Sequence, residues 1–277
     1  MFQPVIPLSG LGGWNFLQST YDRQLETFSS APQIKNDTDY LTEKLAQRMP
    51  VEDFLSDQRL RRITLTAFGL EGEDWKVGFH RKVLDEVQDF DSTFLTRLNN
   101  PQYTRFAEAL QPIDGELVLS SDQVEEIAAR YAAESFELAV GEQDDSMRLS
   151  LNYQADIQEL VTEGSTDNAN MFKLLGSLPM REVLTTALNL PSDISNLDID
   201  DQAAIFQDRL RSQFQVSSLQ DLKNPETIER VLQRYQAVQS INQNFASTSS
   251  ASTALTLLSN AVGFGAVASQ NLFLSNF

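Results

Sequence analysis

Two stretches of the chain, residues 53–110 and 174–238, repeat one order of helical signals. In the first, Leu60-Arg61-Arg62-Ile63-Thr64-Leu65-Thr66-Ala67 leads into Phe68-Gly69-Leu70. In the second, Met180-Arg181-Glu182-Val183-Leu184-Thr185-Thr186-Ala187 leads into Leu188-Asn189-Leu190. Gly and Asn tolerate a left-handed backbone, so each stretch reads as an amphipathic helix with a C-terminal stop. A second helix comes after each stop, over residues 75–87 and 201–214. Next is a short apolar turn, Phe94-Leu95 with Leu98 against Leu219 with Leu222. Asn100-Pro101 and Asn224-Pro225 then offer a capping side chain before a proline at the first helical position. A closing helix ends each copy, over 103–110 and 228–238. One copy cannot bury its own apolar stripe, so the two should pack on each other or on the helices between them, as an approximate internal two-fold.

The rest of the chain has the same period. Phe16, Leu17, Tyr21, Leu25 and Phe28 share one face of a first helix. Asp37 or Thr38 can cap a second, running to Met49. Ser121 and Asp122 can cap a long central helix that Gly141 kinks or ends, with a continuation over 145–161. Residues 116–119 are the one short stretch that reads as extended. With almost no strand alternation, the predicted fold is all-α: a multi-helix bundle of two diverged repeat copies joined by long central helices. The expected segments are 1–36 (apolar N-terminal segment and first helix), 37–115 (first copy), 116–164 (joining helices), 165–240 (second copy) and 241–277 (Ser/Ala-rich apolar tail).

Charge and residue types restrict the chemistry. The 21 Lys and Arg against 39 Asp and Glu give a formal charge of −18. Such a surface repels phosphate backbones, which argues against nucleic acid, and anionic membrane surfaces. No stretch approaches the ~20 apolar residues of a spanning helix, so no membrane insertion is expected. Residues 1–13 lack Lys and Arg, and Pro4 and Pro7 would break an apolar core, so no cleaved signal is expected. There is no cysteine, hence no disulfide, thiolate metal site or cysteine nucleophile.

Each candidate for chemistry has a plainer reading. The lone histidine, His80, sits beside Arg81 and Lys82 without a nucleophile elbow, and reads as a surface or helix-packing residue. The glycines of Gly10-Leu11-Gly12-Gly13 come after no strand and precede no Lys-Ser/Thr, so they read as packing or chain-reversal positions. Residues 196–201 resemble the start of a calcium loop, but its sixth and twelfth positions would be Asp201 and Gln207, so a solvated insert with Asp200 as helix cap fits better. Arg59, Arg61 and Arg62 read as exposed helix charge. No catalytic, cofactor or metal residues are assigned.

Apolar character at both ends is the feature that composition leaves unexplained. Phe2, Ile6, Leu8, Leu11 and Trp14 stand at one end. Leu255, Leu258, Val262, Phe264, Phe273 and Phe277 stand at the other. These are the candidate partner-docking residues, for a protein partner or a second copy. The alternative is that each end packs on its own body.

Several motifs resemble domain-of-unknown-function family 1217: Gly13-Trp14-x-Phe16-Leu17-Gln18-x-Thr20 with Gln24 and Phe28; Val51-x-x-Phe54-Leu55-x-Asp57-x-x-Leu60; Ala67-Phe68-Gly69-Leu70; Phe94 to Leu98; and Phe136-Glu137 through Met147-Arg148-Leu149. The resemblance spans Gly10 to about Val238. It implies a helical bacterial protein often encoded among flagellar genes, and carries no catalytic residues. The resulting expectation is a non-enzymatic interaction or assembly protein of the flagellar system, made in the cytoplasm and exported, if at all, without a signal. An export chaperone or regulator, and an enzyme with a carboxylate-lined cleft between the copies, remain as alternatives.

Overall fold

The computed structural model describes residues 3–89, 92–98 and 100–247. The chain runs α1 (Gly10–Ser29), α2 (Pro32–Leu45), β1 (Met49–Pro50), α3 (Val51–Ser56), α4 (Gln58–Thr66), α5 (Val77–Glu86), α6 (Phe94–Leu98), α7 (Pro101–Ala109) and β2 (Glu116–Leu117). It continues through α8 (Ser121–Gly141), α9 (Asp145–Leu160), α10 (Asp167–Gly176), α11 (Leu178–Ala187), a 3-10 helix (Ser192–Asn196), α12 (Ile199–Phe214), a second 3-10 helix (Leu219–Lys223) and α13 (Pro225–Ser247). The fold is all-α. Its two-residue strands pair antiparallel, Met49 opposite Leu117 and Pro50 opposite Glu116, and clip the start of the first copy to its end.

The repeated punctuation forms the same local structure twice. Gly69 lies at φ +69° and Asn189 at φ +51°. In the first copy Leu70 N–H donates to Leu65 O (3.0 Å) and Gly69 N–H to Thr66 O (3.0 Å). In the second, Leu190 N–H donates to Thr185 O (2.9 Å) and Asn189 N–H to Thr186 O (3.0 Å). Both are the paired hydrogen bonds of a Schellman stop. Upstream, one extended residue breaks a helix in two in each copy: Asp57 between α3 and α4 (ψ 96°), and Ser177 between α10 and α11 (ψ 115°). Downstream, the Asn100 side chain accepts from Tyr103 N–H (3.0 Å) and Asn224 from Glu226 N–H (2.9 Å).

The copies pack on the joining helices, α4 on α8 and α11 on α9, while α8 and α9 pack on each other. α1 lies against both α8 and α13, so it ties the halves together. The buried apolar side chains form one cluster from Trp14 to Tyr235, a core shared by both copies.

Several local expectations differ from the structure. α2 begins at Pro32, not Asp37, because proline suits the first helical turn. Asp37 instead sits mid-helix and buried. The caps are Ser120, in a capping box with Gln123, rather than Ser121 or Asp122, and Asp198 rather than Asp200. α5 starts at Val77, which leaves Trp75 in the preceding loop, and α13 runs to Ser247, past the expected boundary at 240.

Candidate docking surface and the carboxylate cleft

The N-terminal segment folds back along α1. The buried Gln24 side chain accepts from Val5 N–H (2.6 Å) and donates to Val5 O (3.2 Å), while Gln143 Nε2 donates to Pro4 O (2.6 Å). The reversal needs glycine. A Cβ on Gly13 would lie 1.8 Å from Leu8 O, and one on Gly10 (φ +65°) would lie 1.9 Å from Ser240 Oγ. The latter contact sets the start of α1 against the last turns of α13, and Gln18 Nε2 donates to Glu229 Oε2 (3.3 Å) further along the pair.

This geometry divides the N-terminal candidates. Leu8 (62% exposed) and Leu11 (37%) present apolar surface, and Ile6 is half-buried against the core. Trp14 is a correction: it is 0% exposed, because its spacing to Leu17, Gln24 and Phe28 puts it on the inward stripe of α1. It is a core residue and offers nothing to a partner in this fold. Phe2, Leu255, Leu258, Val262, Phe264, Phe273 and Phe277 lie outside the described residues. The chain leaves the described fold through the end of α13, where Ile241 is exposed next to Ser240.

Other exposed apolar side chains are not evident from the sequence. Trp75 (73% exposed) stands in the loop before α5, beneath the Lys76 ammonium (5.4 Å from the ring centroid). In the second copy Leu178 (69%), Leu197 and Ile199 are exposed. The insert 191–198 folds over α12 and leaves an apolar groove of about 650 Å³ lined by Leu190, Pro191, Ile194, Leu197 and Ile205. A second depression shares Leu190 and Ile194 and reaches Val238 and Asn242 on α13, so the exposed apolar surface of this copy adjoins the exit of the chain. Trp75 and Leu197 lie between helices and Leu178 and Ile199 at helix starts, where no 3.6-residue pattern marks a face, so the sequence does not separate them from ordinary surface apolar residues.

A cleft of about 790 Å³ lies between the first copy and α9–α10. Its Asp156 and Glu159 are held by the Arg105 guanidinium at 2.7 Å and 3.0 Å. Behind it, α8 carries two carboxyls one turn apart. Burial pushes Glu134 up to about 7, and the nearby Asp156 and Glu71 add to this against Arg105 and Arg130. Burial likewise raises Glu137 to about 8, with Glu134 and Asp156 adding, against hydrogen bonds from Asn152 Nδ2 (2.8 Å) and Tyr21 OH (3.4 Å). Adjacent carboxyls that resist ionising together are a feature of acid–base sites and of buried structural networks alike.

His80 is away from this cleft, fully buried on α5 with Tyr103 and Phe106 rings 6.1 Å and 6.0 Å away. Neither ring nitrogen has a hydrogen-bond partner among the described residues. Burial, with the Arg61 charge adding, lowers its pKa to about 4, so the imidazole is neutral packing material. The arginine cluster is also structural. Arg61 is buried and donates to the backbone carbonyls of Leu55 and Asp74, while Arg59 and Arg62 converge on Asp37. Arg59 and Arg62 stay exposed, as the sequence reads them, while pairing with Asp37 more than twenty residues upstream; Arg61 alone of the three is turned inward. Among the described residues no group of three or more His, Asp or Glu is arranged to hold a metal ion, and no helix is long and apolar enough to cross a membrane.

The family model described as "Protein of unknown function (DUF1217)" matches residues 67–228, more than half of the chain. The chain belongs to the DUF1217 family. The match opens at the first helix stop, Ala67, and ends at Ile228 in α13, so the Gly13-Trp14 and Val51–Leu60 motifs precede it. No curated protein matches. Among solved structures, protein AGR_C_984 from Agrobacterium tumefaciens is similar at a TM-score of 0.67 and 21% identity, over 87% of this chain and 99% of that one. The likeness is one of fold: the two chains share a helical architecture at low sequence identity.

Proposed function

We propose that this DUF1217 protein is a non-enzymatic interaction protein of the flagellar system that docks a protein partner through apolar surface at its α1–α13 end and on its second copy. The observation that carries the reading is the distribution of large exposed apolar side chains. Leu8 and Leu11 flank the contact between Gly10 and Ser240, and the Leu178–Leu197 surface adjoins the same helix, α13, from which the apolar segment 254–277 continues. An acidic body with apolar patches suits selective docking, since charge keeps the chain soluble while desolvation of leucines supplies affinity. Asp156 and Glu159 in the cleft are tied to Arg105, which favours a structural role for them over acid–base work.

The test is a tagged pull-down from motile cells at native expression with three forms: the full chain, one lacking residues 254–277, and Leu8→Ser/Leu11→Ser. Flagellar components should co-purify with the first and be depleted with the other two. Enrichment of nothing flagellar by the full chain would end the motility reading. Recovery of the protein from basal bodies or culture medium separates an assembled part from an export chaperone that stays inside the cell.

A further inference from the structure

We propose that the cavity where the α1–α2 corner meets α4 and α8 binds a small amphiphile with one negative charge, a medium-chain carboxylate in type, with Arg62 as the anchor. The cavity is about 910 Å³, within the range of small-molecule sites. Its wall is two-natured. Phe28, Ile34 and Leu138 supply apolar surface, while Arg62 and Thr66 on α4 face it one turn apart. The charge arithmetic at its rim is unusual for this chain. The buried Asp37 accepts Arg59 Nε and Nη2 on Oδ1 (3.0 Å and 2.7 Å), Tyr131 OH on Oδ2 (2.8 Å) and Arg62 Nη2 on Oδ2 (3.3 Å). Those four bonds fill a carboxylate's acceptor capacity.

Two guanidiniums therefore share one carboxylate, and one positive charge is left over in a protein of formal charge −18. Arg59 is committed further, to Asn36 O (3.0 Å) and to the Tyr40 ring. Arg62 spends one N–H, on the longest of the four bonds, and its side chain is 47% exposed. The remaining N–H donors of its planar fork are free to take a carboxylate in two parallel bonds. The exposed Glu142 also lines the cavity, so capture depends on direct contact with Arg62 and not on long-range attraction.

Titrating sodium octanoate into the full chain by calorimetry, with 1-octanol as the uncharged control, tests this. The expected result is one saturable site with a Kd on the order of 0.1–1 mM. 1-Octanol and Arg62→Gln should each bind at least about tenfold weaker, the loss expected for one charge-assisted contact. Arg62→Gln leaves Asp37 held by Arg59 and Tyr131, so the fold should survive, as circular dichroism would verify. A second variant, Ala139→Leu, at a lining residue next to Leu138 on α8, keeps Arg62 and fills space on the apolar wall, and should also weaken octanoate. Equal affinity for octanol and octanoate, undiminished binding by folded Arg62→Gln, or no saturable binding would each overturn the proposal.

Discussion

The two copies share their stops and caps and differ in the segments between them. After Gly69 the first copy turns through a loop, 71–76, and drops α5 into the core with His80 inward. After Asn189 the second inserts Pro191, the 3-10 helix and Asp198, which hold Ile194 inside and leave Leu197 outside. The closing helices diverge further: α7 has 9 residues, α13 has 23 and reaches α1, α9 and α11. Local punctuation sets the direction of each turn. Both copies bury their second helix on the core, and the longer segment after the second stop leaves an apolar groove beside α12 that the first copy does not have there.

The largest expected effects test whether this difference sits on one core. Phe106→Ala and Tyr235→Ala each empty a fully buried aromatic site, one per copy, and should each cost about 3–5 kcal/mol. Denaturant unfolding should show one transition that moves in both variants; separate transitions, each moved by one variant, would split the shared core in two.

Next come two opposed pH dependences. His80 has a folded pKa near 4, below its ordinary 6.5, so the unfolded chain takes up its proton first as pH falls. Its contribution is intact above pH 6.5 and is lost between 6.5 and 4, by up to about 3 kcal/mol. His80→Phe should flatten that acid limb. Glu137 has the reverse sign: its folded pKa is about 8 against an ordinary 4.5, so the folded chain keeps the proton longer. Its contribution is full below pH 4.5 and is lost as pH rises through 8, and Glu137→Gln should raise stability at pH 8 more than at pH 5. Urea midpoints across the range from about pH 4 to 9 check both; an unchanged profile in either variant would remove that group from the account.

The helix stops predict smaller effects. Gly69→Ala places a Cβ in ordinary contact with Gln102 but strains a left-handed backbone, and should cost about 1 kcal/mol. Asn189→Gly at the matching position should be neutral or stabilising by a few tenths. Thermal midpoints that shift in opposite senses would confirm that both copies use the same stop. The smallest stability change, under about 0.5 kcal/mol, is expected for Leu197→Ser on the open groove combined with Leu178→Ser on the adjoining depression. That pair should nevertheless deplete co-purifying partner; retention of partner at wild-type level would reduce the groove to plain surface.

Much of the architecture was legible because it rests on short-range chemistry. Apolar residues three and four apart, Gly69 and Asn189 at left-handed stops, and Asn-Pro starts dictate helices and their ends within a few residues. Those signals carried the all-α class, the repeat and the joining helices. Caps were misplaced by one or two residues where Ser, Asp and Asn cluster, as at Ser120 and Asp198, since several neighbours can offer the same hydrogen bond. Side-chain exposure was less legible. Trp14 and Trp75 both read as helix-start aromatics, yet one is core and the other stands in water. The choice at Trp14 was made by Gly10 and Gly13, which let α1 close on α13 and on the returning N-terminal segment.

The sequence alone determined that this chain is a helical, acidic, cysteine-free repeat, because period, charge and composition are properties of neighbouring residues. Tertiary structure decided that Arg59 and Arg62 share one buried carboxylate, that Glu134 and Glu137 resist ionising, and that the second copy keeps apolar surface. Burial and pairing depend on residues that packing alone brings together, such as Asp37 beside Tyr131 across 94 positions of chain.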